Sequence, residues 1–442
     1  MFVAMILYLL LVLIRPQDYP AMVDSAGLPL QPIMLIIAAL FWLLSPRKNF
    51  DAPQYALLLV FFLVQLISHV FNGWLGGALE QIGIFAPVVL AFAVFANGLD
   101  RRERILRTMA VFAACAAVLA IHGIGQQSTG TGWTGVGLSQ GTRIQYVGIF
   151  NDPNDLGMLF VICIPMAAYL SSRGGLMGLR RLFWLAVTGV LVYGVYLTDS
   201  RGSLLALLAI MGVYIWQRRG VFVAGVLGSM AVAVLLALPS RFSEIDAEEA
   251  SAHGRIESWY EGLQMFRGHP IFGVGPNMYT EYNPLTAHNS FVLILAETGI
   301  IGFTLWLSFI IYCFRMMLVG SRPLGELAWE SSATPEGDGD AEASLAELDA
   351  LEAGIAEGRA IALTLLLSLI GFCVSAFFLG RSYVIILYLL AALVVAQYTD
   401  MRQDDPDLPR FSFADDALLW PVIGVGAAIG LYITVKVLLV VQ

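Results

Sequence analysis

The chain has 442 residues, and its composition excludes a water-soluble protein of that length. Hydrophobic residues make up 58%, charged residues 13%, and mean hydropathy is +0.78, whereas soluble domains carry about 25% charged residues. The net charge of −9, with no basic face, speaks against a nucleic-acid partner. Cys115, Cys163, Cys313 and Cys373 stand singly in apolar stretches, so no disulfide scaffold, zinc site or redox pair is signalled. What remains is an all-α polytopic membrane protein, read as a single membrane domain over residues 1–442.

A hydrocarbon core about 30 Å thick needs roughly 20 apolar residues of helix. Apolar segments fall at 1–14, 31–44, 55–72, 81–97, 105–125, 156–170, 182–198, 203–217, 221–238, 300–319, 359–379, 382–399 and 418–440, which predicts about 12–13 transmembrane helices. The first is short for a span. It lacks a basic leader and a small-residue cleavage site, so it reads as a retained, tilted or partial helix rather than a signal peptide. With the N-terminal end placed in the cytoplasm, sixteen Lys and Arg residues fall in inside loops and seven outside, the bias that membrane topology favours.

The outside set is Arg15, Arg143, Arg201, Arg241, Arg255, Arg267 and Arg381. The histidines His69, His122, His253, His269 and His288 fall on or near the same face. Ionisable groups gathered on one face of a membrane domain point to a site there. For His69 and His122 the plainer reading is a satisfied polar group near a helix end.

Two loops are long. Residues 239–299 face outside and contain an acidic run, then His253-Gly254-Arg255. A one-sided helical stretch follows (Ile256, Trp259, Tyr260, Leu263, Phe266) and then the turn-rich Gly273-Val274-Gly275-Pro276-Asn277. The amphipathic stretch is expected to lie at the membrane surface. Residues 320–358 face inside. From Glu326 to Glu357 they hold ten acidic residues and no Lys or Arg, so a solvated, partly disordered linker with a helix at 341–357 is expected.

The most informative stretch is 286–302. The run 300–319 already spans the membrane, so His288 to Thr298 should form a separate outer helix, opened by His288 and Asn289 and broken at Gly299. Glu297 lies nine residues beyond His288, on the opposite helix face. It should therefore orient an arginine or face the next helix rather than pair with His288. Gly299 and Gly302 permit a tight bend and close helix approach. Asp152 and Asn154 should cap the helix that begins near residue 155.

His288-Asn289, nine residues, Gly299, two residues, Gly302 resembles the signature of the bacterial O-antigen ligases and, more broadly, of the superfamily they share with the Wzy-type O-antigen polymerases. Three further stretches are similar to that superfamily: Gly273–Asn277, Thr198-Asp199-Ser200-Arg201-Gly202, and Phe150-Asn151-Asp152-Pro153-Asn154. The resemblance is specific over about 143–302. It implies a GT-C-like, multi-pass protein of the bacterial inner membrane with a large periplasmic loop and a periplasmic active face. It also implies a metal-independent inverting glycosyltransferase in lipopolysaccharide or exopolysaccharide biosynthesis, with no cofactor. The donor would be a glycan on undecaprenyl diphosphate. The acceptor would be a saccharide, either lipid A-core for a ligase or another repeat unit for a polymerase.

The residues suit that chemistry. A lipid diphosphate is already a good leaving group, and its charge is met by planar guanidinium forks, assigned to Arg201 and Arg255. The acceptor hydroxyl needs a base that titrates near neutrality, assigned to His288. Asn289, Glu297 and Arg381 are expected to support the site. No Asp-x-Asp or clustered His/Asp pattern signals a metal. A transporter would instead place ionisable residues at mid-span, and the spans are nearly free of them.

Overall fold

The computed structural model describes residues 1–20, 29–46, 48–173, 175, 178–237, 245–322 and 341–441; for 231–237, 245–253, 341–348 and 441 only the backbone is described. Arg47, Arg241 and the His253 side chain, counted above, lie outside the described residues, as does segment 323–340 of the acidic loop.

The described residues contain no strands, only isolated bridges that close the 131–143 loop. The helices in chain order are α1 (Phe2–Leu13), α2 (Leu30–Leu43), α3 (Pro53–Phe71), α4 (Leu75–Gly98), α5 (Arg102–Thr129), α6 (Pro153–Ser172), α7 (Leu179–Leu197) and α8 (Arg201–Arg219). They continue with α9 (Val221–Ala237), α10 (Ile245–Gly268), α11 (Tyr279–Tyr282), α12 (Ser290–Gly320), α13 (Ala341–Ala376), α14 (Ile385–Asp404) and α15 (Leu419–Val441). Among the described residues nine helices are long and apolar enough to cross a membrane: α3 to α7, α12, α13 from Asp349, α14 and α15. The chain is an all-α polytopic membrane protein. The helix expected at 341–357 is the beginning of α13, continuous with the following span.

Contacts sort the helix termini into two ends. Gly98 abuts Met5, and the Arg104 guanidinium lies 5.5 Å from the Phe2 ring. At the opposite end, Arg15 and Asp18 press against Gly148. The short α1 and the turn after it therefore run between the ends. α15 does the same: Asp416 receives a hydrogen bond from Tyr312 at one end, and Lys436 Nζ lies 4.6 Å over the Tyr260 ring of α10 at the other. That ring contact gives the lysine of an apolar helix a partner. The end that contains Arg15, Gly148 and α10 is called the site end below, and the other the far end.

The centre of the bundle is α6, α12 and α14, whose residues are mostly buried. α12 carries the feature that shapes the site end. Gly299 adopts φ 63°, ψ −166°, a conformation essentially restricted to glycine. It breaks α12 into arms 290–298 and 300–320. The break leaves the Ala296 and Glu297 carbonyls and the Ile300 and Ile301 amides without their helical partners. Loop 270–275 supplies all four. Val274 N–H donates to Ala296 O at 3.0 Å and Gly275 N–H to Glu297 O at 3.0 Å, while Ile300 and Ile301 N–H donate to Pro270 and Ile271 O at 2.9 and 3.4 Å. A Cβ on Gly299 would lie 2.4 Å from backbone of Ile271, and one on Gly273 would lie 2.3 Å from backbone of Glu297. The tight bend expected at Gly299 is present, and Gly299 and Gly273 together allow a close approach of loop to helix.

Candidate active site

His288 lies just before the first arm of α12. Asn289, not His288, caps the helix: its Oδ1 accepts from the amides of Phe291 and Val292 at 2.9 and 3.1 Å. Its buried Nδ2 has no hydrogen-bond partner. His288 is held by its flanks. On one side Ser258 Oγ of α10 donates to Thr286 O at 2.9 Å. On the other, Ser290 Oγ donates to Leu379 O at 2.6 Å and accepts from Arg381 N–H at 2.9 Å. Between these anchors His288 takes the left-handed φ of 46°, uncommon outside glycine. Its half-buried ring makes no hydrogen bond to any described residue.

Four arginines gather here from distant parts of the chain. Arg255 sits on α10 one turn before Ser258, whose bonds fix that helix to loop 279–286. Arg201 opens α8. Its neighbour Gly202 packs on Phe378 in the 377–384 turn, and Ser203 packs against Gly157 of α6. The sequence Ser-Arg-Gly-Ser thus places an exposed guanidinium between two tightly seated small residues. Arg143 donates from Nε to Thr198 O at 2.9 Å and from Nη2 to Asn154 Oδ1 at 3.0 Å. Arg381 forms a two-pronged pair with Asp155, Nε to Oδ1 at 2.5 Å and Nη2 to Oδ2 at 2.6 Å.

The electrostatics record how close these groups are. Burial, then the charges of Arg143 and Arg201, lower the pKa of Arg255 against the opposing field of Asp152. Burial lowers that of Arg143, with Asp152 and Asp199 opposing. For His288, burial and then the positive charges of Arg255 and Arg381 depress the imidazole pKa below its ordinary value, partly offset by Asp152. The surroundings therefore favour the neutral, proton-accepting ring. Three helix N-termini, of α6, α8 and the first arm of α12, also point here, adding positive potential. The arrangement sets an imidazole inside a concentration of positive charge.

The structure thus brings His288, Arg201, Arg255 and Arg381 together. It also adds Arg143, which stands alone in a Gly/Ser/Thr loop. Its position on the outer side was the only signal available. Asp152 caps α6 through the Asn154 amide at 2.7 Å, as expected. Of the two partners expected for Glu297, an arginine or the next helix, no arginine among the described residues is one. Its carboxylate accepts from Tyr279 N–H at 3.1 Å, capping α11 and fixing the Gly273–Tyr279 loop, and it lies beside Tyr383, just before α14. Residue spacing could not reveal the Tyr279 contact, because the loop folds back only after α12 has broken. His122 is a packing residue, its Nε2 2.9 Å from Thr134 Oγ1 with its ring against Trp133 and Tyr146. His69 packs edge-on against Trp74. The amphipathic stretch of α10 turns Trp259 and Leu263 into the protein, with Gly262 close against Val292 of α12. Among the described residues no group of three His, Cys, Asp or Glu side chains could hold a metal.

A bundle of membrane-crossing helices with a histidine and an arginine cluster at one end defines a polytopic membrane protein with a positively charged face. Comparison with known proteins makes the class more particular. Residues 186–307 match the profile of the O-Antigen ligase family, a segment that contains Arg201, Arg255, His288, Asn289 and Glu297 but neither Arg143 nor Arg381. An O-antigen polymerase of Salmonella muenchen is 25% identical over 178 residues, covering 36% of this chain. The chain spans 44% of the length of that curated relative. Both matches support the O-antigen ligase and polymerase superfamily.

Proposed function

We propose that the protein is an O-antigen ligase-like glycosyltransferase, which moves a glycan from undecaprenyl diphosphate to a saccharide acceptor. The observation that carries this reading is His288 set among Arg201, Arg255, Arg143 and Arg381. In the reaction, His288 takes the proton of the acceptor hydroxyl. The oxygen then forms its bond to the anomeric carbon while the bond from that carbon to the diphosphate breaks. The electron pair leaves on undecaprenyl diphosphate, and Arg201 and Arg255 meet the charge. Direct displacement inverts the anomeric centre and needs no metal in this scheme. Arg381 is committed to Asp155, so it acts as a positioning residue that clasps the 379–382 turn to α12, rather than as a phosphate contact. The site end faces the periplasm and the far end, richer in basic residues, faces the cytoplasm of an inner membrane.

A second reading, polymerisation of lipid-linked repeat units, is favoured by the O-antigen polymerase match. A glycan profile of a deletion strain, complemented with wild type or His288→Ala, separates the two. Long chains stranded on undecaprenyl diphosphate identify a ligase. Single repeats with no long chains identify a polymerase. A profile unchanged by the deletion, or fully restored by His288→Ala, removes the proposal.

A further inference from the structure

A cavity of about 410 Å³ opens at the far end, remote from His288, between the end of α12, the end of α14 and the segments 49–52 and 410–412. Its lining includes Arg402 and Arg410, with Asp51 the one carboxylate among the lining residues. The wall is built rather than loose. Tyr398 Oη donates to Pro409 O at 2.7 Å, Tyr312 Oη lies 3.0 Å from Ser412 O, and the Tyr398 and Phe411 ring centroids lie 5.5 Å apart. The Arg315 guanidinium covers the Phe411 ring at 4.9 Å.

The far end holds both paired and unpaired arginines. Arg102, Arg104, Arg107, Arg173 and Arg315 at this end are all paired with carboxylates. Arg402 and Arg410 form no ion pair with any described residue, and the buried Arg402 Nε has no hydrogen-bond partner. Arg101 and Arg359, outside this cavity, form no ion pair with a described residue either. The Arg402 Nε is closed off from the cavity, so a ligand there would meet the Nη groups of Arg402 and the guanidinium of Arg410, neither held by a carboxylate. A phosphate group has the shape and charge to meet them. We propose that this cavity binds a phosphate-bearing ligand, through Arg402 and Arg410 with Asn49 at the rim. The inference is independent of the glycosyl-transfer reading, since no residue is shared.

The test uses the full chain. In detergent it is titrated with glycerol 1-phosphate. Separately, it is placed in phosphatidylcholine nanodiscs with and without phosphatidylglycerol, and bound lipid is read by native mass spectrometry. The expected result is a rise of the unfolding midpoint with the phosphate compound, retention of phosphatidylglycerol, or both. The soluble arm alone indicates a water-soluble phosphorylated ligand, and the lipid arm alone a headgroup. Arg402→Met and the exposed Arg410→Gln should each weaken binding about tenfold or more. Without ligand, Arg402→Met should unfold no earlier than wild type, because it removes an unpartnered donor. The proposal is overturned by no response in either arm, by an equal response from potassium chloride at matched ionic strength, or by full binding in both variants. A ligand-free loss of stability in Arg402→Met would also overturn it.

Discussion

At the far end of the bundle, Arg102 donates to Asp400 at 3.0 Å, Asp404 at 2.5 Å and the Gly354 carbonyl at 2.7 Å, and Arg173 pairs with Glu357 at 2.5 Å. At the site end, Arg143 donates only to uncharged oxygens, and Arg255 lies in the field of two further arginines. The same side chain is thus used in two ways. At the far end Arg102 and Arg173 are neutralised by carboxylates from other helices, so they join α5 to α14 and α6 to α13. At the site end Arg381 is held by Asp155, but Arg255 lies in the repelling fields of Arg143 and Arg201, and Arg255 and Arg381 lower the affinity of His288 for a proton. A positive field of that kind fits the proposed role of this face in meeting an anion, whereas the Arg102 and Arg173 pairs act as structural joints.

The comparison breaks most readily at His288. His288→Ala removes the base but no described hydrogen bond, so glycan transfer should fall by about 10²–10⁴-fold while the unfolding midpoint stays at the wild-type value. A midpoint that drops with activity would make His288 another structural joint. The reverse behaviour is expected at the far end. Arg102→Gln leaves Asp400 and Asp404 facing each other without their cation, and breaking such a pair costs on the order of 3 kcal/mol. Thermal unfolding in detergent should register that loss, and per-molecule activity of the folded fraction should not change. At the site end Asp155→Asn belongs with Arg102→Gln, because Asp155 is 3% exposed and holds Arg381. It should lower both stability and activity. Arg201→Lys comes next in size. A point charge replaces a fork but leaves the turn around Gly202 and Ser203 intact, so transfer should drop roughly tenfold with KM for the donor raised. Equal activity with lysine would remove the bidentate assignment.

Much of this was legible in the chain itself. Apolar segment lengths located the helices, and the loop arginines sorted themselves by face before any contact was known. His288 and Arg201 could be named because each sits in a short local pattern whose geometry is set by its neighbours: Asn289 at the cap, and Gly202 and Ser203 at a packed helix start. What could not be read depends on contacts between distant segments. Glu297 caps a loop eighteen residues earlier only because Gly299 diverts two helical hydrogen bonds to residues 270–275. Arg143 reaches Thr198 and Asn154 across 55 and 11 residues, from a loop with no periodicity. Arg381 reaches Asp155 across 226 residues. In each case the partner is chosen by tertiary packing, which spacing does not encode.

The smallest effect sharpens the comparison furthest, because it asks whether the site-end charges act on His288 at all. Burial and the fields of Arg255 and Arg381 hold the imidazole pKa below its ordinary value, so the neutral, proton-accepting form persists as pH falls past about 6.5, where an ordinary histidine would half-protonate. A plot of kcat/KM for transfer against pH should stay level through that region and decline only at lower pH, since this ratio reports the base of the free enzyme. Arg255→Gln removes one of the two depressing charges, so its acid limb should move to higher pH, in addition to any loss of plateau rate. Arg255→Lys keeps the charge and loses the fork; its plateau should fall while its acid limb stays with wild type. If glutamine and lysine shift the limb equally, the cause is packing rather than charge, and the contrast between the two ends of the bundle no longer explains how the base is set.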